Sequence, residues 1–565
     1  YDKSLISKGG GIFDRSAKSI TLTPEIKKLI DMDVDSLPPN KLISALLRSE
    51  VDLLWFGGIG TYIKHSDESN ADAGDRANDP LRVNANELRC KVLGEGANLG
   101  VTHRARIQFA ENGGRANTDA IDNSAGVDCS DHEVNIKILL GDVVARGDMT
   151  EKQRNVLLEE MTDEVAALVL RDNYQQTQSI SMVELMAIKD LDSHQRTIRS
   201  MERSGELNRA LEFLPDDEEI SERLTSQKGL TRPELAVILA YAKNLTYQDL
   251  LASNLPDDPL LSEDLERYFP TKLREKYLSN IHSHKLRREI IATAVTNSMI
   301  NRTGPSFVNE MNLRTGMSSQ DIARAYTISR EVFGLRELWS AIEALDNIAS
   351  STVQLQMLQE TRRTINRMTE WFLRNEDHPL DIAKNIEKYK TGVTTLKADL
   401  DEVLGPIALE NVASRAARFM EEGVPEELAQ AIGQLKVLSS ACDVVRLAGH
   451  ANQPVKEVGQ TYAALGTKFG LDWLRSAANR IPADSQWYRL AISATIDDLW
   501  GLQTDLSSRV LAEGQNGEKA IEAWASKRPE LVERVENLLG ELNNLPQIDL
   551  AMLAVVSREL RNLIS

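Results

Sequence analysis

The chain has 565 residues and a mass of 62.9 kDa, which exceeds the roughly 250 to 300 residues that one hydrophobic core can serve, so we expect more than one domain. Apolar residues make up 42% and charged residues 27%, and no apolar run is long enough for a membrane span, which predicts a soluble protein. The net charge of −19, with no block of Lys and Arg, argues against nucleic acid as the main partner.

Three cysteines, Cys90, Cys129 and Cys442, lie far apart and form no CxxC pair. This spacing disfavours a disulfide framework or a structural zinc site, and we expect a reducing cytoplasm. The chain opens with YDKSLISKGG, which has neither an initiator Met nor the pattern of a targeting segment. We expect it to be part of a longer polypeptide.

Three short apolar runs in the first 145 residues predict β-strands, and each is followed by a glycine turn. They are SLIS before KGGGIF, VDLLWF before GGIG, and LRCKVL before GEGANLG. Helix-compatible segments such as PPNKLISALLRSE alternate with these runs, which favours parallel strands joined by crossovers in a doubly wound α/β sheet. Ligands of such sheets bind at the carboxyl ends of the strands, where these turns would lie.

None of the three turns has the full spacing of a dinucleotide-binding fingerprint, in which GxGxxG opens a helix and an acidic residue follows about 20 positions later. GEGANLG reads GxGxxxG, and the helix-like VTHRARIQFA after it ends at Asn112 without a second apolar run that ends in an acid. A pyrophosphate-binding role is therefore not favoured. Three glycine-rich strand ends still indicate a nucleotide crevice, because glycine lets a ligand approach the backbone.

The polar segment HSDESNADAGDRANDP, residues 65–80, is interpreted as a solvated insertion between two strands. A metal-binding loop is the alternative, although its acidic residues lack the EF-hand pattern. In the later cluster DCSDHE, the side chains of Cys129, His132 and Glu133 could share a helical face and either bind a metal or form a Cys–His nucleophile pair. No metal site is assigned.

Helix signals repeat from about Thr150 to the end, with no fixed repeat period. Four pairs predict helix starts, in each of which a hydroxyl precedes an acceptor by three residues: Thr150 with Gln153, Ser181 with Glu184, Thr231 with Glu234, and Ser318 with Asp321. After Pro425, helical spacing predicts one buried stripe that comprises Ile432, Leu435, Leu438, Cys442 and Val445. The sequence thus predicts an α/β region followed by a large all-α region.

Four motifs in order, ISKGGGIF, VDLLWFGGIGTYIK, KVLGEGANLGVTHRA and DNSAGVDCSDHE, resemble the second half of the cofactor domain of glutamate dehydrogenases. The GDRAND insertion and the helical remainder with QKGLTRPELAVILAYAK resemble the very large bacterial NAD-dependent members of that family. The resemblance implies that residues 1–148 form the C-terminal part of a Rossmann-like NAD-binding domain, without its glycine-fingerprint strand. Residues 149–565 would form a helical C-terminal domain, with two subdomains as an option.

The resemblance also implies roles for individual residues. Asn98 and Asn123 correspond to residues at the nicotinamide end of NAD, Gly126 to one that leaves room for substrate, and Ser130 to one that binds the side-chain carboxylate of glutamate. Gly57, Gly58 and Ser7 would border the adenosine half of the cofactor. Without the resemblance, Asn98 and Asn123 could be turn residues with left-handed backbone, and Ser130 could cap a helix that starts near Asp131.

The implied reaction is oxidative deamination of L-glutamate to 2-oxoglutarate and ammonia, with hydride transfer to NAD. The family's catalytic lysines and aspartate belong to a preceding substrate domain, so no catalytic residue is assigned and the chain alone is expected to be inactive. We expect a homo-oligomer. Two alternatives stay open: a helical interaction or regulatory scaffold with a vestigial nucleotide fold, and another amino-acid dehydrogenase of the same fold.

Overall fold

The computed structural model describes residues 2–482, 486–514, 516–545 and 547–564; the terminal positions 1 and 565 of the expected domains lie outside this range. Its strands are β1 Ile20–Thr21, β2 Ser36–Leu37, β3 Leu53–Phe56, β4 Ile63–Lys64, β5 Val83–Asn84 and β6 Val92–Glu95. Beyond β6, the described chain is helical and connecting segments.

The helices, in chain order, are α1 Pro24–Ile30, α2 Pro39–Leu47, α3 His103–Glu111, α4 Asp119–Asp122, α5 Ser124–Ala145, α6 Glu151–Glu160, α7 Thr162–Glu184, α8 Leu191–Arg203, α9 Asp217–Thr225, α10 Arg232–Ala252, α11 Ser262–Tyr268, α12 Thr271–Lys276, α13 Leu278–His282, α14 Arg287–Thr303, α15 Phe307–Thr315, α16 Ser319–Val332, α17 Leu335–Glu343, α18 Ser351–Asn375, α19 Ile382–Ala398, α20 Leu400–Val403, α21 Pro406–Glu421, α22 Glu426–Gln434, α23 Ala441–Ala451, α24 Val455–Lys468, α25 Leu471–Ala478, α26 Gln486–Leu511, α27 Gly517–Ala525, α28 Pro529–Asn543 and α29 Leu550–Ile564. The protein is therefore mostly helical, with a small α/β region near its start.

Two of the three strand pairs are parallel, as the sequence predicts. Strand β3 pairs with β6 in the register Leu53 to Val92 and Phe56 to Glu95, and β4 pairs with β5. The pair β1–β2 is antiparallel. The crossover from β3 to β6 carries β4, β5 and the segment 65–80 rather than a long helix, and this segment lies between two strands as predicted.

The run SLIS is not a strand, and this prediction is wrong. Residues Lys3–Leu5 form a 3-10 turn, because the Asp2 carboxylate accepts hydrogen bonds from the backbone N–H and the hydroxyl of Ser4 at 2.8 and 2.6 Å. No strand of the described chain pairs with this segment, so an aspartate cap is enough to favour the local turn.

Three of the four predicted helix starts are confirmed. Thr150 and Thr231 close capping boxes at α6 and α10, and Ser318 precedes α16. Ser181 lies inside α7, where its hydroxyl bonds back to the carbonyl of Thr177 at 3.2 Å, so that start is wrong. A hydroxyl and an acceptor three positions apart also occur within a helix, because both then lie on one face.

The stripe after Pro425 is buried as predicted, although not along a single helix. Its residues are at most 9% exposed, yet the chain leaves α22 at Gln434 and passes through a 3-10 turn before α23. The turn keeps the spacing of three to four residues, so the apolar pattern survives a break in the α-helix.

The chain divides into two compact units, Tyr1–Ala323 and Arg324–Ser565. In the first, the strands β3 and β6 pack on α3 through a core that includes Phe56, Leu93 and Phe109, while helices α7, α8 and α10 enclose a second core. The second unit has its own core around Phe469, Leu499 and Trp524. No described helix combines the length and the apolar character that a membrane crossing would need.

Candidate functional site

A tight turn follows β6 and places residues 96–100 at the carboxyl end of that strand. Leu99 adopts a left-handed backbone with φ of 58°. Its N–H donates to the Asp119 carboxylate at 2.8 Å, and the N–H of Glu95 donates to the Asp122 carboxylate at 3.1 Å. Both carboxylates come from α4, so this short helix fixes the shape of the turn.

A buried ion pair stabilises the same turn on its inner side. Glu95 is 1% exposed, and Arg106 of α3 binds it through two hydrogen bonds, Nε to Oε2 at 2.6 Å and Nη2 to Oε1 at 3.0 Å. The N–H of Val101 also donates to Oε1 at 3.1 Å. Burial raises the pKa of the Glu95 carboxyl, and the Arg106 guanidinium opposes that shift by stabilising the carboxylate.

The structure brings Asn98 and Asn123 together. The Asn123 Nδ2 donates a hydrogen bond to the Asn98 Oδ1 at 2.7 Å. Neither residue has the left-handed backbone expected of a simple turn residue, because Leu99 takes that conformation and Asn123 has φ of −99°. Asn98 is exposed and Asn123 is half-buried, so the paired amides lie at the surface of the turn.

Helix α5 begins directly after Asn123 and is held by α7. The Ser124 hydroxyl accepts hydrogen bonds from the Asn173 amide at 2.9 Å and from the Gln176 amide at 2.6 Å. These contacts fix the first turn of α5 and with it the direction of the Asn123 side chain.

Gly126 and Ser130 lie on α5, three and seven residues after Asn123, and both are exposed. The Ser130 hydroxyl donates to the Gly126 carbonyl at 3.3 Å, and a Cβ on Gly126 would lie 3.7 Å from the Asn123 Oδ1. Residues 123, 126 and 130 therefore share one side of the helix. The proposed cap at Ser130 is wrong, because α5 already starts at Ser124.

Gly57 and Gly58 follow β3 and are exposed. Since β3 and β6 are parallel, these glycines lie at the same edge of the pair as the turn with Asn98. Ser7 is exposed, and its carbonyl accepts from the Gly10 N–H at 2.9 Å. Among the described residues, the hydrogen bonds of Ser7 do not connect it to the other predicted site residues.

The indole of Trp55 explains two glycines of GEGANLG. A Cβ on Gly96 would lie 2.4 Å from Trp55 Cζ2, and one on Gly94 would lie 2.5 Å from Trp55 Cε3. The glycines therefore let an indole that is 57% exposed rest against β6. Sequence reasoning missed this contact, although the pairing of VDLLWF with the glycine strand was available as a signal.

The residues Cys129, His132 and Glu133 do not form a cluster. Cys129 and Glu133 are exposed, and Glu133 pairs with Lys137, whereas His132 is 2% exposed. The difference follows from the helical period, which turns His132 towards α7 and away from the other two. A Cys–His nucleophile pair is thus ruled out for this conformation.

A cleft of about 1000 Å³ lies elsewhere in the first unit, where α3 faces the segment from α8 to α10. Arg104, Arg209 and Tyr241 are among the residues around it, and none of the predicted site residues contributes to it. The candidate site is therefore a shallow surface at a strand end and not this cleft.

By its fold and site, the chain is an α/β protein with a long helical extension, in which paired side-chain amides lie at the end of a parallel strand. Residues 227–562 match the family described as glutamate dehydrogenase, C-terminal, and residues 1–183 match the one described as bacterial NAD-glutamate dehydrogenase, catalytic domain. The chain belongs to the family of bacterial NAD-dependent glutamate dehydrogenases, which confirms the resemblance.

Three relatives named NAD-specific glutamate dehydrogenase are similar to the chain over its whole length. The chain is 44% identical to that of Pseudomonas aeruginosa over 567 residues, 42% to that of Halomonas elongata and 40% to that of Mycobacterium tuberculosis. It spans 35% of the length of each.

Proposed function

We propose that this chain forms part of an NAD-dependent glutamate dehydrogenase, which oxidatively deaminates L-glutamate to 2-oxoglutarate and ammonia. Membership of the family and the names of the relatives support this activity. When bound, NAD would supply the hydride acceptor. The chain's own residues would orient the nicotinamide and the substrate.

The observation that carries the proposal is the hydrogen bond between Asn98 and Asn123. It uses the Asn98 Oδ1 and the Asn123 Nδ2, and leaves the Asn98 Nδ2 as a donor and the Asn123 Oδ1 as an acceptor. A nicotinamide carboxamide offers one acceptor and one donor, which is the complement of this pair. The donor set therefore fits the cofactor that the family binds.

The substrate would lie along α5, beyond the amide pair. Gly126 presents no side chain there, and the exposed Ser130 hydroxyl has a single weak contact to its own helix. It can therefore donate to the side-chain carboxylate of glutamate. A leucine or phenylalanine side chain offers no such acceptor and, when bound, would cover the hydroxyl without pairing it, and a donor buried unpaired costs about 1 to 3 kcal/mol.

The remaining assignments follow the family. Gly57 and Gly58, at the same strand edge, would border the adenosine half of NAD, with Ser7 beside it. We propose residues 1–148 as the C-terminal part of a Rossmann-like domain, residues 149–565 as the helical domain, and a homo-oligomer in the cytoplasm. The residues that move protons in the reaction are not assigned to this chain.

The test is an assay of glutamate-dependent NADH formation by a chimera in which this chain replaces the matching segment of the Pseudomonas aeruginosa relative. We expect activity in the chimera, and a loss of tenfold or more in kcat/KM for NAD in its Asn123→Ala variant. Asn155→Ala, at an exposed position of α6, is the control and should leave kcat/KM within twofold.

Two outcomes would contradict the proposal. A folded but inactive chimera, next to an active parent enzyme, would favour a scaffold. An active chimera whose Ser130→Ala variant keeps the same preference between glutamate and leucine would remove the substrate role of Ser130 and favour another amino-acid dehydrogenase of this fold.

A further inference from the structure

Asp128 and His132 of α5 face Asp172 of α7 on the side of α5 opposite to Gly126 and Ser130. One ligand atom from each of the three residues lies within 4.8 Å of the other two, and the His132 Nε2 is 3.9 Å from an Asp128 Oδ. Two carboxylates and one imidazole are thus gathered between α5 and α7, two helices that α6 separates in the sequence.

The polar atoms of this cluster are not satisfied within the described chain. His132 is 2% exposed, and neither of its ring nitrogens has a hydrogen-bond partner among the described residues. The buried Oδ2 of Asp128 is likewise without one. Buried polar groups in proteins are normally hydrogen-bonded, and each exception requires an explanation.

The imidazole is held in place by stacking. The ring of Tyr268 lies 4.2 Å from that of His132 with an angle of 16° between the planes, and the Tyr268 hydroxyl donates to the Asp131 carboxylate at 2.8 Å. Both ring nitrogens of His132 therefore remain available. An imidazole nitrogen without a hydrogen-bond partner can bind a metal ion.

The charges around the cluster favour a cation. The negative charges of Asp172 and Asp131 both act on Asp128. The basic residues Arg171 and Lys243 act on Asp172 only through longer-range attraction. Neither forms an ion pair with Asp172 in the described structure, so the carboxylates lack a direct counter-charge.

We propose that Asp128, His132 and Asp172 bind one divalent first-row transition-metal cation, such as Zn²⁺. Two carboxylates and an imidazole suit this class of ion. Bonds of about 2.1 Å in tetrahedral geometry require ligand atoms about 3.4 Å apart. The pair at 3.9 Å therefore needs to close by about half an ångström, and any pair at the 4.8 Å limit of the cluster by about 1.4 Å. Asp128 and Asp172 are partly exposed, which leaves a path for entry and for a water ligand.

The bound cation would connect α5 to α7, on the other side of the helix from the residues proposed to face substrate. The inference does not depend on the proposed reaction, because binding is measured directly. Zn²⁺ alone is titrated calorimetrically into the metal-free 565-residue chain, and Co²⁺ binding is followed by its visible absorption. We expect one Zn²⁺ per chain and a rise in Tm on binding.

Asp172→Asn and His132→Gln should each weaken Zn²⁺ binding at least tenfold and abolish the rise in Tm. Cys129→Ser removes an exposed thiol on the same helix and is the control that should bind as the wild type does. If His132→Gln does not fold, the nearly isosteric Asp172→Asn still decides the matter. No Zn²⁺ uptake at millimolar concentration, or uptake that survives Asp172→Asn, would overturn the proposal.

Discussion

At the residue scale, the turn that carries Asn98 depends on an ion pair that does not itself face the surface. Glu95 and Arg106 are both nearly inaccessible, and the Glu95 carboxylate holds the backbone on the far side of the turn through Val101. Removing one partner of a buried ion pair leaves the other charge buried without a counter-charge, which is strongly destabilising. This loss is far larger than the stability that the intact pair adds relative to apolar residues of similar size.

We predict that Arg106→Met lowers the free energy of unfolding by about 3 to 5 kcal/mol, because the Glu95 carboxylate would stay buried and unpaired. Urea unfolding followed by circular dichroism measures the loss. Lys91→Gln is the control, since Lys91 and Asp52 form an exposed pair whose removal should cost at most about 1 kcal/mol.

The double variant Glu95→Gln with Arg106→Met should recover part of the loss, since the buried charge of Glu95 is then removed as well. A loss in Arg106→Met no larger than that of the control would show that this ion pair does not support the turn.

The sequence predicts some site residues and misses others for physical reasons. Asn98 and Asn123 are predicted through the family's motifs to lie at the same end of the cofactor, and in the structure their side chains are hydrogen-bonded to each other. Glu95 and Arg106 are missed, because a charged side chain is usually solvated and no local pattern shows that two charges 11 positions apart will be buried together.

At the element scale, β6 is shaped by its contact with β3. The two glycines at 94 and 96 accommodate the Trp55 indole of the neighbouring strand, so their role is close packing across the strand pair. Gly141, in contrast, lies within the last turns of α5, and no atom of another part of the chain is within 4 Å of the place where a Cβ would be.

We predict opposite effects for two alanine substitutions. Gly96→Ala should destabilise the protein by about 1 to 3 kcal/mol, because the new methyl group overlaps the indole. Gly141→Ala should stabilise it by about 0.5 to 1 kcal/mol, because alanine loses less backbone entropy in a helix. Thermal and urea unfolding measure both.

Adding Trp55→Ala to Gly96→Ala should recover most of the lost stability. If Gly96→Ala does not change the stability while Trp55 is present, the indole can move aside, and its packing does not explain why positions 94 and 96 are glycine.

Local signals predict elements where the stabilising contacts are local. The boxes at Thr150 and Thr231 close within three residues, so the sequence alone identifies the helix starts. The SLIS segment could not be decided in this way, because a strand requires a partner strand and the described chain offers it none. The apolar runs predict the strands β3 and β6 and a parallel arrangement, but they predict neither which strands pair nor the short strands β4 and β5 in the crossover.

At the scale of the whole molecule, a net charge of −19 governs which large partners can approach. Acidic residues outnumber basic ones by 85 to 66, and many basic residues are paired with carboxylates, as at Arg209 and Arg223, each of which pairs with more than one. A polyanion would therefore meet repulsion over most of the surface.

We predict that the chain elutes in the flow-through of a heparin or DNA column at about 50 mM salt and binds an anion exchanger under the same conditions. Lysozyme, a basic protein, is the column control. Retention on DNA that decreases with added salt would contradict the prediction and indicate a basic surface formed by folding.

Composition correctly predicts an α/β start and a helical remainder, but it does not reveal how far the first compact unit extends. Its second core joins Ile121 to Ile300, residues brought together by packing between helices. Contacts between residues so far apart in the sequence produce no local sequence pattern. The domain boundary at residue 148 stays a proposal. It differs from the boundary between the two compact units, which follows residue 323.

The position of Trp55 has an optical consequence. Indole emission shifts with the polarity of its surroundings, and this indole rests on the strand that leads directly into the Asn98 turn while much of its surface stays in water. Subtracting the spectrum of a Trp55→Phe variant from that of the parent would isolate its signal from the other six tryptophans. The molecule thus carries an intrinsic fluorophore beside the turn, able to register a dinucleotide titration without any added label.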